Sequence, residues 1–133
     1  MSITVEWDND EKTIIRYTYT NRWTWDEFYA AQAQQNRMQE TVSRRVNVLV
    51  DARNIQTLPD DFLTHLKRVM TERHPQTGLT VIVSSSGFLR SLFNLASRLF
   101  PSGTADTRFV SSEEDAYNLF RAEDAASAGH AAD

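Results

Sequence analysis

With 133 residues, 41% of them hydrophobic and 24% charged, the chain has the size and make-up of one globular domain; folding at this length removes roughly two-thirds of the unfolded surface from water. Its 14 basic residues are scattered among 18 acidic ones for a net charge of −4, which leaves no basic stripe for a phosphate backbone and argues against a nucleic-acid partner. There is no cysteine, so disulfides, thiolate nucleophiles and thiolate metal sites are excluded.

Ile3, Val5 and Trp7 alternate, as do Ile15, Tyr17 and Tyr19, and the polar residues Asp8–Glu11 lie between the two runs; the pattern predicts a β-hairpin. The chain enters this alternation without a basic or apolar leader, from which we expect a cytoplasmic protein. Thr24-Trp25-Asp26-Glu27 has the form of a capping box, and Phe28, Ala31, Gln35, Met38 and Val42 follow at helical spacing, so a helix is predicted over Trp25–Ser43. Val46–Val50 is nearly continuous in apolar character, the signature of a strand covered on both faces.

After a loop at Asp51–Gln56, Thr57-Leu58-Pro59-Asp60 offers a hydroxyl cap, a first-turn proline and acids for the positive end of a helix dipole. Phe62, Leu66, Val69 and Met70 would be the buried face of that second helix, with His74-Pro75 and Gly78 ending it. Leu79–Val83 repeats the buried-strand pattern, and Ser84–Gly87 leads into a helix over Phe88–Phe100 that Pro101-Ser102-Gly103 stops. Thr107–Val110 is a last short strand, and Ser111–Asp115 caps a final helix with Ala116, Leu119 and Phe120 inward. The reading is a single α/β domain over residues 1–122, a mixed sheet of about five strands with about four helices in the order ββαβαβαβα. Residues 123–133, rich in Ala, Ser and Gly, are expected to form a flexible tail.

This string resembles the SpoIIAA-like group of STAS domains, related in architecture to lipid-binding Sec14 domains. The resemblance is carried by Ile3-Thr4-Val5-Glu6-Trp7, by Val46–Val50 ending in Asp51, and by Phe109–Ala116. It implies a mixed-sheet fold and a regulatory role through protein contacts. In that family the loop after the central strand carries an Asp-Ser-Ser-Gly motif with a phosphorylated serine. Here Asp51-Ala52-Arg53-Asn54-Ile55-Gln56-Thr57-Leu58-Pro59-Asp60-Asp61 lacks it, and Thr57, the one nearby hydroxyl, reads as a helix cap.

Ligands of open α/β sheets bind beyond the carboxyl ends of the strands, which singles out two loops. One offers Asp51, Arg53, Asn54 and Thr57; the other offers Ser84, Ser85, Ser86 and Gly87, with Arg90 a turn away. The second loop suits an anion at a helix start, although serine caps and a tight turn at Gly87 explain it as well. The Phe88–Phe100 helix is apolar around more than half its circumference. Its surplus residues Leu89, Phe93 and Phe100 form a candidate surface for a partner protein, a second copy or an acyl chain. Trp23 and Trp25 read as an aromatic lid over a helix start, or as a stacking surface for a ligand.

His65, His74 and His130 lack metal-site spacing. No nucleophile elbow, dinucleotide fingerprint or phosphate loop occurs, so neither catalysis nor a cofactor is expected. The longest apolar-rich stretch, Phe88–Phe100, is broken by Arg90, Asn94 and Arg98 and is too short to cross a membrane. Two readings remain: a non-catalytic protein-interaction module, expected to have a protein partner and able to form a homodimer, or a carrier of a small apolar, lipid-like or anionic ligand.

Overall fold

The computed structural model describes residues 2–72 and 74–131, with side chains through residue 126. Its elements run β1 (Ile3–Trp7), β2 (Ile14–Tyr19), α1 (Trp25–Gln39), β3 (Val46–Asp51), α2 (Phe62–Thr71), β4 (Thr77–Val83), α3 (Gly87–Leu99), β5 (Thr107–Val110) and α4 (Glu113–Ala131). The fold is α/β: one five-stranded mixed sheet in the spatial order β1-β2-β3-β4-β5. β1 and β2 are antiparallel and every later pairing is parallel. This is the class and element order that the sequence predicts.

Strand order has a direct consequence for where the helices lie. Each parallel crossover steps the same way along the sheet, and crossovers share one hand, so α1, α2 and α3 fall on one face. The opposite face is left to α4. Pleating sorts the residues accordingly. Ile15, Tyr17, Tyr19, Val46 and Val48 pack under Ala31 and Met38 of α1. Ile14, Leu49, Leu79, Val81 and Val83 pack against Ala116 and Phe120 of α4.

One irregularity lies between β3 and β4, where the register shifts between Val46 and Val48. The Asn47 amide oxygen accepts a hydrogen bond from the Leu79 backbone N–H at 2.9 Å. A Cβ at position 78 would collide with that same oxygen, so only glycine fits. The bulge lets Thr77 accept from Gln39 Nε2 at 3.2 Å on the α1 side, while Leu79 joins the cluster beneath α4.

Several details differ from the sequence reading, among them the start of β4 at Thr77, which puts Gly78 inside the strand, and the span of α3. The α1 helix ends at Gln39 instead of Ser43: the Thr41 hydroxyl donates to the Met38 carbonyl at 2.7 Å, and the Thr41 and Val42 amides bond back three residues. Such side-chain and three-residue bonds close a helix end. The α2 helix begins at Phe62, so Thr57 is not its cap and Pro59 is not in its first turn. Its N-cap is Asp61, in the left-handed conformation at φ 58° and without a side-chain cap bond. At α3, Gly87 has no positive φ and nothing within 4 Å of an added Cβ, so the turn there does not depend on glycine. Finally, α4 continues to Ala131, past the predicted end at residue 122. The alanines between Ala122 and Ala131 are strong helix formers and carry the helix on.

Candidate ligand cavity

The two faces of the sheet differ in how well they are covered. On the α4 side, Leu49, Val81 and Val83 are completely buried. On the three-helix side, Val50 and Ile82 stand at equivalent depth on the same central strands, yet are only half-buried, as is Phe109 on β5. The helices above them explain this: no residue of α2 is buried and only Ala96 of α3 is, although both helices carry an apolar face. Those faces look into a cavity of about 260 Å³.

Its floor is Val48, Val50, Ile82, Thr80, Thr107 and Phe109; its roof includes Phe62, Leu66, Val69 and Met70 of α2 and Leu89, Leu92, Phe93 and Ala96 of α3. The end nearest the carboxyl edge of the sheet is aromatic, with Tyr19, Trp23, Trp25 and Phe28. Trp23 packs edge-on against Tyr19 and Trp25, with ring centres 5.3 and 4.9 Å apart. Among the described residues, no Asp, Glu, Lys or Arg lines the cavity. Burial raises the pKa values of Tyr17 and Tyr19 in the wall, so both phenols remain neutral.

A second feature joins α1 to α2. The Trp25 indole stacks on the His65 imidazole at 4.4 Å, Tyr29 Oη and His65 Nδ1 share a hydrogen bond of 2.8 Å, and the Arg68 guanidinium lies over the Tyr29 ring at 4.6 Å. Trp25 Nε1 also donates to the Asp60 carbonyl at 3.0 Å. The entry to α2 is therefore held by the start of α1.

No family model matches the chain. No curated protein and no solved structure matches it either. The functional reading therefore rests on the residues themselves.

The loop beyond β3 that the sequence singles out is committed internally. The Asp51 side chain, 7% exposed, receives Arg16 Nη2 at 2.7 Å and is gripped by Arg53 through Nε and Nη2, each at 2.9 Å. Both guanidinium groups also reach Glu113 at the start of α4, and Arg16 lies 3.5 Å from Asp8. Hydrogen bonds from Arg53, reinforced by both positive charges, lower the Asp51 pKa to about 2; Arg16 holds Glu113 below its ordinary range. Asn54 and Thr57 are exposed and stand apart from this cluster.

The serine loop beyond β4 serves the helix that follows. Ser84 Oγ accepts from the Ser86 amide at 3.1 Å, and Ser86 Oγ accepts from the Leu89 amide at 3.2 Å as the N-cap of α3. Ser85 is exposed, and Arg90 lies over the Phe109 ring at 4.8 Å. The surplus apolar residues of α3 also sort differently from the expectation. Leu89 and Phe93 face the cavity, Phe100 is the C-cap beyond the helix, and it is Phe88 and Leu99 that are exposed, at 60% and 53%. Among the described residues no helix is long and apolar enough to cross a membrane, and no group of His, Asp and Glu has the spacing to hold a metal ion.

Sequence reasoning separately marked Trp23, Trp25, the apolar face of α2 and the excess of α3, but did not bring them to one cavity. Arg16 was missed as a partner of Asp51, and Asp8 and Glu113 as further partners of the arginines. The one available signal was the half-polar β2 pattern, which sets an arginine between Ile15 and Tyr17.

Proposed function

We propose that this is a non-catalytic binding domain that holds one small, mainly apolar molecule between its helix layer and its sheet. The observation that carries the reading is the cavity under α2 and α3, whose wall is almost wholly apolar and aromatic. Binding pockets have this composition, with few polar groups set into it. A STAS-like ancestry agrees with the element order, and the carrier reading is the one the cavity favours. The strand order adds support: with no reversal among the parallel strands, the sheet lacks the crevice that loops beyond a switch point create.

Ethylbenzene is a suitable probe. Titrated into labelled protein, it should shift amide and methyl resonances of cavity residues, while those beneath α4 stay in place. Val50→Phe, which projects a ring into the space, should remove the response and leave a folded spectrum. Unshifted resonances at saturating ethylbenzene, or an unaltered response in Val50→Phe, would refute the proposal.

A second reading, a protein-interaction module that includes a homodimer, is favoured by the exposure of Phe88 and Leu99 at the two ends of α3. Sedimentation equilibrium tests its homodimer form: a dimer that Phe88→Ser dissociates supports it, and a monomer across the accessible concentration range removes it.

A further inference from the structure

Beyond holding an apolar molecule, the cavity wall carries information about the polar part of its occupant. The indole N–H of Trp23 is buried and has no hydrogen-bond partner, in a residue that is 8% exposed and lines the aromatic end of the cavity. Buried donors are nearly always paired, because an unpaired one forfeits its hydration with nothing in return. Trp25 close by does have its partner, the Asp60 carbonyl. An indole N–H is a donor only, so what Trp23 lacks is an acceptor.

The rest of the wall limits what that acceptor is. A carboxylate or phosphate brought in beside Trp23 would meet no Lys or Arg among the described lining residues, and an unpaired anion in an apolar site is strongly disfavoured. The phenols of Tyr17 and Tyr19 are kept neutral by burial. The other described polar lining residues are Thr77, Thr80 and Thr107, Gln32, Gln35 and Asn36 on α1, and one imidazole, His74; its Nδ1 accepts from the Gln76 amide at 3.1 Å, and it lies just before β4, at the opposite edge of the sheet from Trp23. For size, an apolar cavity of about 150 Å³ takes benzene, so the present 260 Å³ suits a molecule of about ten non-hydrogen atoms.

We infer that the occupant is an uncharged amphiphile, an apolar body bearing a neutral acceptor such as a carbonyl or ether oxygen, and that on its entry the Trp23 ring turns so that Nε1–H, otherwise covered by its neighbours, donates to that oxygen. This rests on the binding proposal above and adds a ligand class and a contact to it. The anionic ligand and the ionised acyl chain that the sequence left open are both disfavoured by it.

The test compares three probes of similar shape on the intact chain: acetophenone, with a neutral acceptor; ethylbenzene, with none; and benzoate, with a charged one. Acetophenone should bind about 3- to 10-fold tighter than ethylbenzene, the net worth of one hydrogen bond, and benzoate at least about 10-fold weaker than acetophenone. The Trp23 indole N–H resonance, one of three in the chain, should move downfield with acetophenone and much less with ethylbenzene. In Trp23→Phe, acetophenone should lose its advantage while ethylbenzene affinity stays close to that of the parent. If that variant fails to fold, the indole resonance of the parent protein still decides. Equal affinities for acetophenone and ethylbenzene with an unmoved indole resonance, or benzoate binding tightest, would overturn the inference and leave the binding proposal standing. Failure of all three probes to bind would remove both.

Discussion

Asp51 shows how much one residue can carry and how little of that is local. The sequence marks it as the end of the central strand and puts Arg53 beside it, yet its strongest constraints include Arg16 from β2 and Glu113 from α4, which only the fold brings near. Glu113 reads in sequence as a helix-start acid, and that is a sufficient local explanation; the second role was invisible because it depends on strand order. Replacing Asp51 with Asn leaves Arg53 with Glu113 alone and Arg16 with Glu113 and the more distant Asp8. Removing one partner of a buried pair costs 3–5 kcal/mol, but Arg53 is partly solvated, so we expect about 2 kcal/mol of stability to be lost in urea unfolding. The pH dependence has a definite sign. Folding lowers the Asp51 pKa to about 2, so the unfolded chain takes up the proton first. The contribution is whole above about pH 4, the unfolded value, and is lost as pH falls toward about 2. The acid limb of the stability curve should be shallower in Asp51→Asn than in the parent.

At the scale of elements, α2 is where local signals and tertiary structure part company. Thr57-Leu58-Pro59-Asp60 has every feature of a helix start, but the helix begins at Phe62. The Trp25 indole holds the Asp60 carbonyl, and Asp61 turns through the left-handed region to enter the helix. A contact from a residue 35 positions away therefore overrides a cap motif, as tertiary context commonly does. Two variants separate the contributions. Asp61→Gly relieves the positive φ at some cost in unfolded-state entropy, and urea unfolding should show a gain of about 0.5 kcal/mol. His65→Ala removes the stack on Trp25 and the bond to Tyr29. Amide exchange in α2 should then accelerate by about 10-fold, with β3 and β4 unaffected, because a helix without buried residues opens separately from the sheet. By contrast, α1 was legible almost entire: Thr24 and Glu27 form the reciprocal capping box that their spacing predicts.

For the whole molecule, the fold was readable because periodicity and order determine it, while the cavity was not, because it depends on how far α2 and α3 stand from the sheet. Leu89 and Phe93 looked in sequence like residues left over for an outside partner; they face the cavity beneath their own helix. A side chain that grows into the cavity displaces no neighbour, whereas one that grows on the filled face must push its neighbours aside. Val50→Phe occupies part of the cavity from the floor of the central strand, where Val50 is only half-buried and has room to grow. Urea unfolding followed by tryptophan fluorescence should place Val50→Phe within about 1 kcal/mol of the parent. Val81→Phe, on the filled α4 side, should be destabilised by about 1–3 kcal/mol because no room exists there. If both substitutions behaved alike, the two faces of the sheet would be equally packed and the cavity would lose its standing as the site.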